Sequence, residues 1–274
     1  MPACQPTFYV PHGAGPCFFM EWSPVDAWDR MANYLRSIRN ALPERPKAIL
    51  MVSAHWLESE FRVTSGAQPE LIYDYYGFPP HTYELTYPAR GDPELARQAV
   101  ELLQSSGLPA SCDEARGYDH GMFIPLKLMF PEADIPVVQL SLRQDMDPEV
   151  HLQAGRALAS LREQGVLIVG SGMSFHNMQG YRDPRYGPIS DQFDAWLRQT
   201  VAAEPAERWR ALAQWERAPR ARQCHPPRAE EHLIPLMVAA GAAAEEPGRH
   251  EFSDRVLETT LSGFRFGQGL ESRG

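Results

Sequence analysis

Four histidines in this chain follow short apolar runs and stand in turns marked by glycine, proline or other small residues. His12 follows Phe-Tyr-Val-Pro, and His55 follows Ile-Leu-Met-Val-Ser-Ala. His176 follows Val-Leu-Ile-Val-Gly-Ser-Gly-Met-Ser-Phe, and His120 stands in Arg-Gly-Tyr-Asp-His-Gly. Because ligands of open α/β sheets bind beyond the carboxyl ends of the strands, side chains that follow different strands can converge there. Imidazole is a common metal ligand, so the pattern predicts a metal site built from distant segments.

Three histidines have surroundings that suit a metal ligand. Small residues flank His12 and His55, and small neighbours let the backbone approach a bound ion. His232, in Ala-Glu-Glu-His-Leu-Ile-Pro-Leu, is predicted at the start of an apolar helix, where its ring can point into the same crevice. Glu231 beside it is either a carboxylate ligand or an acceptor for an imidazole N–H. The alternative for each histidine is an ordinary turn, core or surface position, and the residues alone leave this open.

His176 and His120 suit proton transfer as well as binding. Glycine and serine before His176 mark a strand that ends in a tight turn, where a neutral histidine can be a general base or an additional metal ligand. His120 is a candidate second acid or base, or a hydrogen-bonding group for the substrate. Its alternative is an Asp–His pair with Asp119 that stabilises a turn. His225 is a weaker ligand candidate, and no role is predicted for His81, His151 and His250.

The elements that must position these histidines alternate along the chain. Strand-like apolar runs alternate with helical patterns, which predicts a single α/β domain over residues 1–274, with a central mixed, largely parallel sheet flanked by helices and the metal site at strand ends. The predicted strands are 7–10, 47–53, 61–65, 135–140, 166–170, 256–260 and 264–266. The predicted helices are 24–41, 92–106, 122–130, 148–163, two within 190–217 that break at Pro205, and 230–240.

Residues 73–88, Tyr-Asp-Tyr-Tyr-Gly-Phe-Pro-Pro-His-Thr-Tyr-Glu-Leu-Thr-Tyr-Pro, are rich in aromatic residues and prolines. The prolines exclude a helix, so the stretch is predicted to be a long ordered loop of the kind that often forms a wall or lid of a site. Its rings suit an apolar pocket, and Tyr75, Phe78 and the more distant Tyr118 are the candidate substrate contacts. The alternative for these aromatic residues is packing in the core or in a lid.

Composition limits the cellular setting and the partner. The chain has 43% hydrophobic residues, no apolar run near 18 residues and no signal-peptide pattern, so a stable cytoplasmic protein is expected. Four scattered cysteines without a Cys-x-x-Cys pair argue against a thiolate zinc site or a disulfide framework. The formal charge of -9 disfavours nucleic acid and anionic membranes, so a small molecule or a protein is the expected partner.

In their joint order, these motifs resemble the class III extradiol ring-cleaving dioxygenases, and most closely the DOPA-dioxygenase-like branch of that superfamily. The resemblance extends over most of the chain. It includes Pro-His-Gly-Ala-Gly-Pro at 11–16, Lys-Ala-Ile-Leu-Met-Val-Ser-Ala-His-Trp at 47–56, Ile-Tyr-Asp-Tyr-Tyr-Gly-Phe-Pro at 72–79, Tyr-Glu-Leu-Thr-Tyr-Pro-Ala at 83–89, Gly-Tyr-Asp-His-Gly at 117–121, Pro-Val-Val-Gln-Leu-Ser at 136–141, Gly-Ser-Gly-Met-Ser-Phe-His-Asn at 170–177 and Glu-His-Leu-Ile-Pro-Leu at 231–236.

The resemblance implies His12, His55 and His232 as ligands of one metal ion, with His176 as base or fourth ligand and His120 lining the substrate site. The chain departs from many relatives in having His-Gly-Ala-Gly where they have His-Gly-Ser-Pro, and Ala-Glu-Glu-His where they have Thr-Pro-Glu-His. The second departure leaves open whether Glu231 or His232 is the third ligand. Neighbours at a helix start lie about 100° apart, so only one of the two is expected to reach the ion. We favour His232 because the matched motif places the ligand there.

The implied cofactor is one Fe(II) or Zn(II) ion per chain, and the implied reaction opens the ring of a catechol-type substrate with O2. A histidine-rich ligand set also suits Zn(II), which has no redox chemistry. Two alternatives therefore stay open: a non-catalytic metal-binding scaffold of the same fold, and a zinc-dependent hydrolase in which His176 or Glu231 activates water.

Overall fold

An eight-stranded mixed sheet organises residues 3–269, which are the residues that this structure, a computed structural model, describes. The strands are β1 (Thr7–Pro11), β2 (Ala48–Glu58), β3 (Phe61–Thr64), β4 (Ala110–Asp113), β5 (Val137–Arg143), β6 (Val166–Gly172), β7 (Gly248–Val256) and β8 (Thr259–Phe266). The helices are α1 (Asp29–Ser37), α2 (Pro93–Ser105), α3 (His120–Met129), α4 (Pro148–Leu158), α5 (Gly187–Ala202), α6 (Pro205–Ala213), α7 (Ala221–Cys224) and α8 (Ile234–Ala242).

The strand order across the sheet is β4-β3-β5-β2-β6-β1-β8-β7. The central strands β5, β2, β6 and β1 are parallel to one another, so their carboxyl ends lie at the same edge of the sheet. β8 joins β1 antiparallel, and β7 joins β8 antiparallel. The predicted fold class, a single α/β domain with a mixed and largely parallel sheet, is therefore confirmed. Within the described residues, no helix has the length and apolar character needed to cross a membrane.

Both faces of the sheet are buried, which explains the continuous apolar runs of the central strands. In β2, Ile49 and Met51 belong to one hydrophobic cluster, whereas Leu50 and Val52 belong to another. Successive side chains of a strand point to opposite faces, so the two clusters lie on the two sides of the sheet. Helices α1 and α3 cover the first side and α2 covers the second. Strands covered on both faces lose the polar alternation of a half-exposed strand.

The helix predicted over 24–41 is shorter than expected. Residues 24–28 form turns, and α1 begins only at Asp29 and ends at Ser37, followed by a short 3-10 turn. The predicted start with Ser23 as N-cap is therefore wrong. Trp28, which is 3% exposed, packs edge-on against Trp22 and Phe18, so tertiary burial of the indole decides the path of this segment.

The predicted strand over 256–260 is also wrong, because its centre is a hairpin turn. β7 ends at Val256 and β8 begins at Thr259, and Leu257 and Glu258 between them have φ values of 48° and 75°. Two positive φ values match the right-handed twist of a two-residue hairpin, but they normally require Gly, Asn or Asp. Since this turn carries none of them, the sequence offers no turn signal. The short strand β4 was not predicted either.

One buried histidine that packs against the end of β5 gives a prediction about stability. His151 of α4 accepts a hydrogen bond at Nε2 from the backbone N–H of Arg143 (3.0 Å), so its Nδ1–H donates to the carbonyl of Asp147 (2.7 Å). Burial lowers the pKa of His151 to about 4, whereas an unfolded histidine titrates near about 6.5. The unfolded chain therefore binds more protons between these values, and stability is lost as the pH falls through this window.

We expect the stability advantage of the wild type over His151→Gln to shrink between pH 7 and pH 4, by up to about 3 kcal/mol, because the glutamine does not titrate. Urea unfolding of both proteins at several pH values measures this difference. The other buried histidines titrate in both proteins, so their contributions cancel. A difference that stays constant or widens toward low pH would contradict the assignment of His151 as neutral.

Candidate active site

Five of the nine histidines line one cavity of about 400 Å³ at the carboxyl edge of the parallel strands. His12 directly follows β1, and His176 lies four residues beyond β6. The remaining three are His55, His120 and His232. Small-molecule sites commonly occupy crevices of this volume at this edge of α/β sheets.

The structure corrects the local setting of His55. It was predicted in a turn after a strand, but β2 continues through it to Glu58. The pairing of β2 with β5 shifts register between Val52 and Leu57, so His55 lies in an irregular stretch of the strand. Such irregularities redirect side chains and are frequent beside active sites.

His232 is not part of a helix, because residues 231–233 form a turn and α8 begins at Ile234. The helical geometry assumed for Glu231 and His232 is therefore absent. His120, predicted in a turn, is the first residue of α3.

One ring nitrogen from each of His12, His55 and His232 lies within 4.8 Å of the others. The Nε2 atoms of His12 and His55 are 3.1 Å apart. Burial, followed by the proximity of other histidines, lowers the pKa of His12 and of His232 well below the ordinary value. Burial and the neighbouring His120 do the same for His55. All three rings are therefore neutral, which is the form that binds metals.

The partners of two rings fix which nitrogen carries the proton. The Ser171 hydroxyl donates to the carbonyl of Gly121, so it accepts the Nδ1–H of His12 at 2.9 Å. The carboxylate of Glu231 accepts the Nδ1–H of His232 at 3.0 Å. Both rings therefore keep a lone pair on Nε2. Polar groups that fix the ring in this way are usual around metal-binding histidines, so the donor set fits a transition-metal ion.

Asp74 positions His120, a role that was not predicted from the sequence. Its Oδ1 accepts hydrogen bonds from His120 Nδ1 (2.8 Å) and from the His120 backbone N–H (2.9 Å), and its Oδ2 lies 4.0 Å from His55 Nδ1. Burial alone raises the pKa of Asp74, but the hydrogen bonds and charge of His120 outweigh it and lower the pKa. The only sequence signal was an acidic residue within the aromatic Tyr-Asp-Tyr-Tyr loop.

The Asp–His pair considered for Asp119 and His120 is absent. The Asp119 side chain is fully buried and instead accepts a hydrogen bond from Ser53 Oγ (2.6 Å) and pairs with Arg116 at 3.2 Å. The carboxylate therefore fastens the start of α3 to β2, the strand that carries His55.

His176 lies beside the cluster. Its ring stacks on His232 with the centroids 3.4 Å apart, and its Nδ1 is 3.6 Å from Glu231 Oε1. That distance exceeds a hydrogen bond, and Nδ1 has no partner among residues 3–269. Burial lowers the pKa of His176 to about 4. A neutral ring with a free nitrogen beside the cavity is compatible with a base and with a fourth ligand.

His225, the weaker ligand candidate, is fully buried elsewhere. Its Nε2–H donates to the carbonyl of Ser174 at 2.9 Å, and its ring packs against Phe193 and Trp215. It belongs to none of the candidate metal-binding groups within the described chain.

The three aromatic candidates for substrate contact lie at different positions relative to the cavity. Phe78 lines the cavity. Tyr75 packs edge-on against His120 with centroids 5.7 Å apart, and its hydroxyl donates to the carbonyl of Thr82. Tyr118 is fully buried away from the cavity lining, and its hydroxyl donates to the carbonyl of Val137. Backbone pairing of Tyr118 with the segment around Leu71 directs its ring into the core, so its position does not suit a substrate contact.

Glycines in β6 let the segment that carries His232 lie directly on the sheet. A Cβ added at Gly172 would lie 2.0 Å from the His232 carbonyl oxygen, and one at Gly170 would lie 2.3 Å from the Pro235 oxygen. The hydroxyl of Tyr9 donates to the same His232 carbonyl at 2.6 Å. The position of the His232 ring therefore depends on the absence of side chains at two points of the neighbouring strand.

We expect Gly172→Ala to displace the His232 turn and to weaken metal binding by at least about 10-fold, the loss typical when the support of a ligand is disturbed. Gly107→Ala is the control for a general loss of stability, because a Cβ there meets nothing within 4 Å but strains the backbone at a φ of 78°, and Gly107 does not line the cavity; it should keep the metal affinity. Metal titration measures the affinity, and thermal unfolding reports the stability of each variant. Unchanged metal affinity in a folded Gly172→Ala protein would contradict this packing argument.

The rest of the cavity lining includes the small residues after His12 and a methionine of the His176 motif, together with segments that were not predicted to reach the site. It consists of Gly13, Ala14, Gly15, Trp22, Trp28, Met173, Met178, Tyr181, Arg182 and Leu257. His12 and His232 are 1% and 4% exposed, whereas Met178 is 72% exposed. His12 and His232 therefore lie at the buried end of the cavity, and the loop after His176, which carries Met178, lies at its open end.

The chain is similar to ring-opening dioxygenases. The family model for the catalytic LigB subunit of aromatic ring-opening dioxygenase matches residues 6–264. A protein named dioxygenase tasH from Hapsidospora irregularis is 39% identical, with 96% of this chain and 85% of that protein covered. Proteins named 4,5-DOPA dioxygenase extradiol are 38% identical in Beta vulgaris (87% of each chain covered) and 32% identical in Escherichia coli K12 (87% of this chain, 85% of that one).

A solved structure has the same fold. The crystal structure of an uncharacterized protein from Escherichia coli K12 matches 96% of this chain and 100% of its own, with a TM-score of 0.76 and 28% sequence identity.

Proposed function

We propose, because this chain belongs to the LigB family of aromatic ring-opening dioxygenases, that it opens the ring of a catechol-type substrate with O2 in an extradiol, Fe(II)-dependent reaction. The observation that carries the proposal is the group of three neutral histidines at the buried end of a largely apolar cavity. The cavity volume suits one small aromatic molecule. The relatives named 4,5-DOPA dioxygenase extradiol support a catechol as the substrate class.

His12, His55 and His232 would hold the ion. Bound Fe(II) supplies a Lewis acid for the catechol hydroxyls and a redox centre for O2. Zn(II) fits the same nitrogen donors but lacks the redox chemistry, so Fe(II) is the proposed working ion. Glu231 and Ser171 hold the Nδ1–H groups of His232 and His12 and thereby keep the Nε2 lone pairs available.

The other two histidines that line the cavity act on the substrate. His176, neutral and with an unpartnered Nδ1, accepts the second hydroxyl proton of the catechol. His120 lines the cavity with its Nδ1–H held by Asp74, so its Nε2 is left to form a hydrogen bond with a bound molecule. Phe78 and the two tryptophans Trp22 and Trp28 provide apolar surface for the ring and exclude water.

We expect His176→Ala to lower turnover by about 10²–10⁴-fold while the protein keeps its metal ion, because a general base contributes about this factor. Elemental analysis of the purified variant, together with its rate of O2 uptake, separates the two effects. Loss of the metal together with the activity would make His176 a fourth ligand instead.

The decisive test loads the protein with Fe(II) under argon and adds a panel of catechols and then O2. The expected result is O2 consumption and a yellow ring-opened product, with no consumption by the Zn(II)-loaded protein. O2 consumption by no catechol would favour a binding protein of the same fold. Oxygen-independent turnover of an ester or amide by the Zn(II) form would favour a hydrolase.

A further inference from the structure

Strained backbone conformations are concentrated at the open end of the cavity. Among residues 3–269, eight non-glycine residues have positive φ values, a region that L-amino acids rarely adopt. Three of them, Arg182, Leu257 and Glu258, meet where the loop after His176 contacts the β7–β8 hairpin. Two of these three, Arg182 and Leu257, line the cavity. Backbone strain persists only where the surroundings enforce it, and strain that clusters beside a cavity points to a role in that site.

The hairpin turn is held in this conformation from two sides. The backbone N–H of Arg182 donates to the carbonyl of Leu257 at 2.7 Å, and φ is 66° at Arg182 and 48° at Leu257. The carbonyl of the next residue, Glu258, accepts a hydrogen bond from the Arg255 guanidinium at 2.9 Å. Arg255 is itself paired with Asp191 of α5 at 2.7 Å. The turn therefore keeps a fixed position relative to the cavity although neither of its two residues favours a positive φ.

The two residues of the turn differ in their surroundings. Leu257 is half-buried, packs against the hydrophobic cluster on the side of the sheet that α1 covers, and lines the cavity. Glu258 is exposed and does not line the cavity. Asparagine followed by glycine would form a two-residue hairpin turn without this strain, but neither residue has an apolar side chain. The turn thus places an apolar side chain at the cavity wall despite a strained backbone.

The lining beyond the five histidines is mostly apolar and includes Trp22, Phe78 and Met178. Among the described lining residues, Arg182 is the only one with a permanent charge. It is exposed, and its guanidinium donates to the carbonyl of Ser23 at 3.2 Å, so its charge lies toward the solvent. An apolar wall stabilises an apolar group of a ligand because it removes that group from water.

We propose that Leu257 is a specificity-determining residue that packs against an apolar substituent of the aromatic substrate. The preferred substrates are then catechols that carry an uncharged alkyl or aryl side chain. This inference rests on the proposed function, because it assumes that the catechol hydroxyls lie at the histidine end of the cavity. The substituent then points toward the open end, and the cavity of about 400 Å³ leaves room for it beside one ring.

The test measures binding without turnover. The Fe(II)-loaded protein is titrated by calorimetry under argon with catechol and, separately, with 4-propylcatechol, which has the same two hydroxyls and an added apolar chain. We expect the wild type to bind 4-propylcatechol more tightly than catechol by about 10- to 100-fold, because each methylene that is buried strengthens binding about fourfold.

Two variants of Leu257 test its side chain. Leu257→Asn removes the apolar side chain but suits the turn, so it should lower the preference for 4-propylcatechol by about 5- to 10-fold and leave the affinity for catechol within about twofold. Leu257→Met keeps an apolar side chain of similar volume and should retain most of the preference.

Glu258→Gly is the matched control, because it relieves strain at the adjacent position and alters no residue of the cavity lining. Glycine adopts a positive φ without strain, so the Tm of this variant should be at least that of the wild type. Both affinities should stay unchanged.

Equal binding of the two catechols by the wild type would overturn the inference and leave the proposed function standing. An equal loss of both affinities in Leu257→Asn would also overturn it, and so would a lost preference in Glu258→Gly, because the turn and not the leucine side chain would then be responsible. Binding of neither compound by the wild type would reject the inference, and the absence of O2 uptake with every catechol would in addition reject the proposed function.

Discussion

The His12→Ala variant is expected to fold, to lose its metal ion and to consume no O2 with any catechol. His12 supplies one of the three convergent nitrogens, and its ring is held by Ser171 in a position that is 1% exposed. Changing only a residue that supports a ligand typically lowers metal affinity by about 10- to 100-fold. Removing the ligand itself should lower the affinity further. Elemental analysis and a metal titration of the purified variant measure this directly.

His81→Ala is the control for His12→Ala. His81 is an exposed histidine whose Nε2 contacts the carbonyl of Phe19, and it lies outside the cavity lining. This variant should keep its metal and its activity. Metal content at the wild-type level in His12→Ala would show that the ion is held elsewhere, for example by His176, Glu231 and His232, whose potential ligand atoms also lie within 4.8 Å of one another.

The comparison of His232→Ala with Glu231→Gln is expected to separate ligand from support. Glu231 accepts the Nδ1–H of His232, so the proposed role of the carboxylate is to orient the ring and hold its proton on Nδ1. We expect His232→Ala to abolish metal binding. Glu231→Gln keeps an oxygen that can accept the same hydrogen bond, so it should weaken metal binding by about 10- to 100-fold at most.

The opposite pattern would change the chemistry of the site. If Glu231→Gln loses the metal and His232→Ala retains it, the site is of the two-histidine, one-carboxylate type. A carboxylate ligand would neutralise part of the charge of the ion, whereas three neutral histidines leave the full double charge to attract a catecholate. Titration with Co(II), whose visible spectrum depends on its ligands, distinguishes the two arrangements in the variants that still bind.

The family and the fold class were predicted correctly because both depend on local patterns. Strands β2 and β6 are covered on both faces, so each appears in the sequence as a continuous apolar run. Small residues follow the apolar runs of β1 and β6 where the backbone must turn or pack closely, and His12 and His176 stand just beyond these two runs. Chain order and residue type were thus enough to place these two side chains at one edge of the sheet.

Several errors came from positions where distant segments decide the local conformation. Burial of Trp28 delays the start of α1, and pairing between β7 and β8 turns the chain at Leu257 without a glycine. Tyr118 faces the core because its backbone pairs with residue 71, which lies far from it in the sequence. None of these contacts has a signal within a few residues of the affected position.

The sequence by itself determined the types of the site residues, their order and the strands that deliver them, because buried strands and close turns restrict composition locally. Only the tertiary structure decided which ring nitrogens are free, that Asp74 rather than Asp119 holds His120, and that Arg182 contacts Ser23. These are contacts between residues 46 and 159 positions apart. The hydrogen bonds that create them form only when the register of the whole sheet is complete, so no stretch of neighbouring residues encodes them.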